Sequence, residues 1–179
     1  MILDNLIADG KVVPMVVVMP NGHAQPNDRP EGNVFLHAPA FARFERDLLD
    51  DLLPAVEARY PVRTAREHRA LAGLSMGGGQ ALNFGLAHWD VFAWVGAFTP
   101  APNTKPPEKL LPNRAKARGR LKLLWLRSRN KDGLRRMSQR WHAYLKEHAV
   151  PHVWNVDDNG HDARAWKSNL YSFAQQLFR

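Results

Sequence analysis

Ser75 stands in Gly73-Leu74-Ser75-Met76-Gly77, with a glycine two residues away on either side. That spacing predicts a sharp turn between a strand and a helix, because side chains at the two flanking positions would collide with the crossing backbone. Such a turn holds the serine in a strained conformation and lifts its hydroxyl clear of a sheet edge. It also aims the positive end of the following helix at any oxyanion formed nearby, with the amide of Met76 as one donor. A serine at its free pKa is a poor nucleophile and requires a base, a role filled by an imidazole that a carboxylate holds. His161, after Gly160 in Asp157-Asp158-Asn159-Gly160-His161, is the candidate base. Asp132, in Ser128-Arg129-Asn130-Lys131-Asp132-Gly133, is the candidate carboxylate. Asp157 and Asp158 are its rivals, but their closeness to the histidine in sequence marks them as turn formers. Of the other histidines, His23 and His37 fall in a long loop able to touch a substrate, while His68, His88, His142, His148 and His152 read as surface or packing residues.

These residues need a scaffold, and the chain alternates strand and helix. Ile2, Leu3, Leu6 and Ile7 predict a short helix over residues 2–9, closed by Gly10. Val12 to Met19 (VVPMVVVM) reads as a strand buried on both faces of a parallel sheet. Residues 23–39, with their Pro, Asn, Asp and Gly, read as a long loop at that strand's carboxyl end, where loops commonly shape a site. Phe41, Phe44, Leu48, Leu52, Val56 and Tyr60 repeat at helical spacing, with a kink or restart at Pro54. Further strands are expected at Arg69–Leu74, Val91–Phe98, Leu121–Leu126 and His152–Val156. Helices are expected on the faces Leu134, Met137, Trp141, Tyr144, Leu145 and Trp166, Leu170, Phe173, Leu177. Thr99–Arg120 has no hydrophobic period and makes a candidate lid over the site. The sum is a single domain of three layers, with about five parallel strands and helices on both faces. Ser75, Asp132 and His161 follow one another in the order usual for α/β-hydrolases.

Composition narrows the classes. With 179 residues, 45% hydrophobic and 23% charged, the balance is that of one ordinary globular domain. No apolar run approaches the roughly 20 residues of a membrane span, and MILDNLIAD lacks a signal peptide's basic region, so localisation stays open. The absence of cysteine excludes disulfides and thiolate sites. No metal-ligand spacing or phosphate loop implies a metal or cofactor. The net charge of +8 would suit contact with anionic surfaces, but it reads more readily as an arginine-rich solvated surface. Its bearers do not form a dedicated nucleic-acid site: Arg63, Arg66 and Arg69 flank a strand, and Lys105 to Arg120 is proline-broken without interleaved aromatics.

Five pieces together carry a family resemblance: Leu3-Asp4-Asn5-Leu6-Ile7 with Pro14 to Gly22 (PMVVVMPNG), Asp47 to Tyr60, Arg69 to Gln80, Leu123-Leu124-Trp125 with Asp132, and Gly160-His161 with Trp166. The chain resembles the feruloyl and acetylxylan esterases among the α/β-hydrolases, related to esterase D and to enterochelin esterases. The resemblance implies that Ser75 is nucleophile, Asp132 the acid and His161 the general base, with ester substrates on plant polysaccharide. It departs from the family at Ser128-Arg129, where members carry a small residue and then glycine before the acid. It departs also ahead of Ile2, where members have a strand and a His-Gly-Gly-Gly-like loop that supplies the second oxyanion amide. The expectation is that the Asn21-Gly22-His23 turn substitutes for that loop, and that exposed sheet edges favour a homodimer. Trp125, Trp166 and Phe35 would suit a phenolic acyl group, although both tryptophans read more readily as core. A siderophore or other small ester is the alternative substrate. The reading from a different class is a weakly active or non-catalytic remnant that binds anionic partners.

Overall fold

The structure is a computed structural model and describes residues 1–25, 38–130, 133–158 and 162–179. It falls into two compact units, residues 1–14 with 65–179 and residues 15–64.

The larger unit is built on four parallel strands in the order β1 (Ala70–Leu74), β2 (Trp94–Phe98), β3 (Leu123–Arg129) and β4 (Val153–Asp157). The register pairs Leu74 with Phe98, Phe98 with Arg127 and Arg127 with Asn155, so the carboxyl ends of the strands come level. Helices cover both faces, as the alternating pattern requires. Against one face lie α4 (Met76–Ala87) and α7 (Arg135–Glu147). There Leu82, Leu86, Val95, Ala97, Leu124, Leu126, Trp141 and Leu145 form the main core. The opposite face takes α8 (Ala163–Ala174), whose Phe173 meets Phe98 and Trp125 edge to face at 5.4 and 6.1 Å. Gly96 makes room for that ring: a Cβ there would lie 2.7 Å from Phe173. The amino-terminal helix α1 (Ile2–Ala8) packs beside α8, and Arg179 donates to the carbonyl of Lys11.

Two sequence expectations shift here. The α8 stripe is rotated: Ala165, Asn169 and Phe173 are its buried face, and Trp166 is 38% exposed, so Trp166 is not a core residue. Trp125, 5% exposed, is. Strand β3 also runs to Arg129, beyond the expected end at Leu126, because the charged Arg127 is buried there with a carboxylate partner.

At the outer edge of the sheet, His142 of α7 stacks on Trp154 of β4 with centroids 4.5 Å apart. Its Nδ1 lies 2.8 Å from His152 Nε2, while His152 Nδ1 lies 2.8 Å from the carbonyl of Val150. Since that carbonyl can only accept, His152 donates from Nδ1 and accepts at Nε2, and His142 donates from Nδ1. Burial, then the charges of His152 and Lys146, hold the His142 pKa below its ordinary value of 6.5.

Residues 99–120 carry α5 (Pro107–Leu110) and α6 (Arg114–Arg120), with Leu110, Leu111 and Ala117 in the main core. Asn83 of α4 holds the segment from both sides. Its amide donates to the carbonyl of Asn103 at 3.0 Å, and its side-chain oxygen accepts from the amide of Lys105 at 2.8 Å.

The strand expected at Val12–Met19, most of which falls in the smaller unit, does not form. Val12 is buried, but residues 13–19 form no strand, and Val16, Val17, Val18 and Met19 are 53, 47, 43 and 89% exposed. The sheet therefore has four strands among the described residues and not about five. Residues 16–19 instead line a groove with Ala55, Val56, Arg59 and Tyr60. The long helix of this unit runs as α2 (Ala38–Arg46), a π-helical stretch at Asp47–Leu52 and α3 (Leu53–Arg59). The amide of Leu53 reaches back to Leu48, a five-residue step. Pro54 has no N–H for the carbonyl four residues before it, so the expected kink is taken up as a widened turn ahead of the proline.

Candidate active site

The carboxyl end of β1 turns directly into α4 at Ser75. Ser75 has φ 54° and ψ −116°, a conformation that L-residues avoid. It is held there by its own backbone. The Ser75 amide donates to the carbonyl of Phe98 at 2.9 Å, and the Ser75 carbonyl accepts from Gly79 at 3.1 Å and from Ala101 at 3.0 Å. Neighbouring β2 and the start of the 99–120 segment thus fix the turn from outside.

The two motif glycines are not equivalent. A Cβ on Gly73 would lie 2.1 Å from the Gly77 carbonyl oxygen, a contact that cannot exist. A Cβ on Gly77 would meet nothing within 4 Å. The expected collision is therefore one-sided, with the backbone of Gly77 passing over the Cα of Gly73. Gly78 is also tight, with the Phe98 carbonyl 3.1 Å from its would-be Cβ, which lets α4 begin against the end of β2.

No side-chain cap bond forms at Ser75, and the first turn of α4 contains no acidic residue. The positive end of a twelve-residue helix is thus left uncompensated at the serine, with Met76 as its first residue. Asn103 steadies this turn by donating from its side-chain amide to the Met76 carbonyl at 2.9 Å. Thr99, directly after β2, has φ 47°, is fully buried, and gives its amide to the carbonyl of Arg127 at 2.9 Å. A β-branched residue in the left-handed region is a strained one, and here it lies next to the Phe98 carbonyl that holds Ser75. Neither Thr99 nor Asn103 carries a sequence signal, since their roles depend on contacts 20 or more residues away.

Asp132 and His161 lie outside the described residues, but the strand ends that lead to them are described. Asp157, the rival carboxylate, accepts from Arg127 Nε at 2.9 Å and Nη2 at 2.5 Å. Asp158 accepts from the Asn130 side chain at 2.7 Å, and the Asn130 amide donates to the Asp157 carbonyl at 2.9 Å. Asp162 caps α8 by accepting from the amide of Ala165 at 3.0 Å. Trp166 stands in the first turn of α8, exposed.

The remaining candidates belong to the smaller unit. Asn21 accepts from the His23 amide at 3.3 Å, the bond of an Asx turn across Gly22. The His23 ring packs edge to face on Phe41 at 4.4 Å, and its buried Nδ1 has no partner among the described residues. His37 and Phe35 lie outside the described residues. Among the described residues no group of three or more His, Asp or Glu is placed to hold a metal, and no helix is long and apolar enough to cross a membrane.

The likeness to known proteins runs along the whole chain. A curated relative, the endo-1,4-beta-xylanase/feruloyl esterase of Xylanibacter ruminicola, is 27% identical over all 179 residues, which make up 23% of its own length. The chain thus spans about a quarter of that relative. Among solved structures, a ferulic acid esterase is 28% identical with a TM-score of 0.78, and the match covers 97% of this chain and 74% of that one. The CE1 ferulic acid esterase of the anaerobic fungus Anaeromyces mucronatus is 24% identical with a TM-score of 0.80, over 97% of this chain and 68% of that one. It shares the fold. The model of the family described as "Putative esterase" matches residues 1–169, and with its strained serine between strand and helix the chain belongs to the Esterase family.

Proposed function

We propose that the chain is a serine carboxylic ester hydrolase that works through an acyl-enzyme. The observation that carries this reading is the backbone of Ser75, at φ 54° and ψ −116° between a parallel strand and the uncapped start of a helix. Strain of this kind persists only where the surroundings enforce it, and here Gly73, Phe98 and Ala101 do so. Ser75 Oγ attacks the ester carbonyl while its proton passes to the His161 imidazole, which Asp132 orients. The oxyanion takes a hydrogen bond from the Met76 amide. Collapse breaks the ester bond, and the alcohol leaves with the proton from His161. Water then gives a proton to His161 and attacks the acyl group, and the released acid leaves Ser75 with its proton restored. The engagement of Asp157 by Arg127, and of Asp158 by Asn130, supports Asp132 as the acid.

The substrates are feruloyl or acetyl esters of plant polysaccharide. The relatives' names support the feruloyl part of this reading, and exposed Trp166 offers a flat apolar surface to a phenolic acyl group. The start of the segment 99–120 borders the site through Ala101 and Asn103, while Leu110, Leu111 and Ala117 anchor the rest in the core, which speaks against a mobile lid. The chain works as a homodimer, with the exposed run at residues 16–19 in favour of association. Two of the cations are turned to the protein's own backbone, which counts against the polyanion-binding alternative at those positions: Arg66 donates to the carbonyls of Trp89 and Arg120, and Arg118 to that of His148.

The test is turnover of p-nitrophenyl acetate, methyl ferulate and a small aliphatic ester by the chain and by Ser75→Ala, with the mass in solution recorded. Loss on the order of a million-fold in kcat is expected for the variant. Equal rates for both proteins would remove the serine mechanism, and a monomer by light scattering would remove the dimer.

A further inference from the structure

The carboxyl ends of β3 and β4 are tied together twice, just before the chain enters the two loops that hold the expected acid and base. The inner tie is Arg127, 4% exposed, whose Nε and Nη2 both reach Asp157 Oδ2, with Nη2 also 3.1 Å from Ser168 Oγ on α8. The outer tie is the Asn130 side chain on Asp158, backed by the Asn130 amide on the Asp157 carbonyl. Asp132 follows Asn130 by two positions, and His161 follows Asp158 by three. Two further bonds lie on the carboxyl side of His161 in the sequence. Ser168 connects α8 to the same guanidinium, and Asp162 caps that helix through the amide of Ala165.

A buried ion pair contributes little net stability over an apolar pair of the same volume, while its fixed geometry confers specificity of position. The Arg127 fork also has a cost that packing alone would not accept, because its Nη1 is buried without a partner among the described residues. We infer that Arg127, Asn130, Asp157 and Asp158 are positioning residues, which hold the acid loop and the base loop in register with Ser75. This rests on the proposed roles of Asp132 and His161.

The exposed tie gives the cleaner test, since Asn130 and Asp158 can be changed without touching the core. Asn130→Asp sets two carboxylates against each other, and Asn130→Asp with Asp158→Asn restores one hydrogen bond with donor and acceptor exchanged. For Asn130→Asp, kcat on p-nitrophenyl acetate is expected to fall ten- to a hundred-fold, the scale of a small misplacement of reacting groups. KM should stay within twofold, Tm should be unchanged, and the apparent pKa in the pH profile of kcat/KM should move. The exchanged double variant should recover kcat to within threefold. Asp157→Asn is expected to lose kcat as well, with Tm falling in that variant alone.

A kcat for Asn130→Asp within twofold of the wild type, or no recovery in the double variant, overturns the inference. Amide hydrogen exchange over residues 128–134 and 156–163 provides the readout that does not depend on the reaction. It should quicken in Asn130→Asp and return in the double variant. If Ser75→Ala keeps full turnover, the serine reading falls on its own, and exchange still decides the ties. Unchanged exchange in Asn130→Asp rejects them whatever the turnover.

Discussion

Val12–Met19 and Trp94–Phe98 look alike in sequence, and the fold treats them oppositely. Both are short, nearly unbroken apolar runs of the sort found in strands buried on two faces. Trp94–Phe98 is such a strand: every residue is buried, β1 and β3 flank it, α4 covers one face and α8 the other. Residues 13–19 have no ladder at all, and Val16 to Met19 stand between 43 and 89% exposed. Composition specifies that a segment is able to be a buried strand. Whether it becomes one depends on neighbours that supply hydrogen bonds and cover, and β2 has those neighbours on four sides.

The contrast can be broken by substitution. Gly73→Ala is expected to have the largest effect, since the new methyl would occupy the position of the Gly77 carbonyl, and soluble folded protein should be lost in expression trials. Phe98→Ala, within β2, should cost about 3–5 kcal/mol in urea unfolding through the lost contact with Phe173. A cost below about 1 kcal/mol would mean that β2 is less buried than described.

At the sheet's far edge the effect is smaller and depends on pH. The folded state lowers the pKa of His142, so the unfolded chain binds more protons as pH falls below 6.5. The stability conferred by the neutral imidazole is complete above that value and is lost as pH falls through the folded-state pKa. Thermal unfolding at pH 7.5 and 5.5 should show a smaller difference for His142→Gln than for the wild type. The least effect is expected at the exposed run. Val17→Thr should change stability by no more than about 0.5 kcal/mol, while lowering any self-association seen in light scattering. A large loss of stability there would show that the run is packed after all.

Much of the sheet unit was legible because its signals are local. The pattern around Ser75, the apolar runs of β2 and β3, and the helical faces of α1 and α7 are all read within a dozen residues of sequence. The features that escaped depend on distant partners. Arg127 looked like the end of a strand because its carboxylate is thirty residues away at Asp157. Trp166 looked like core because helical spacing gives a stripe but not which side of it meets the sheet, and Asn169 turned out to occupy the buried position. Thr99 looked like the first residue of a loop, and only its left-handed backbone and its bond to β3 mark it as part of the support under the serine. The site's chemistry was legible as residue types in order, whereas the ties that set their spacing were not.

The unequal glycines around Ser75 bear on how such motifs are searched for and engineered. Gly77 lies inside α4 with open space where a side chain would begin. Alanine there should be accommodated and, by reducing the freedom of the unfolded chain, should add about 0.5–1 kcal/mol. The information in the five-residue signature is therefore concentrated in its first glycine. A pattern that demands both would pass over working elbows with alanine or serine at the second position, and a thermostabilising library for this chain can open position 77 while keeping position 73 closed.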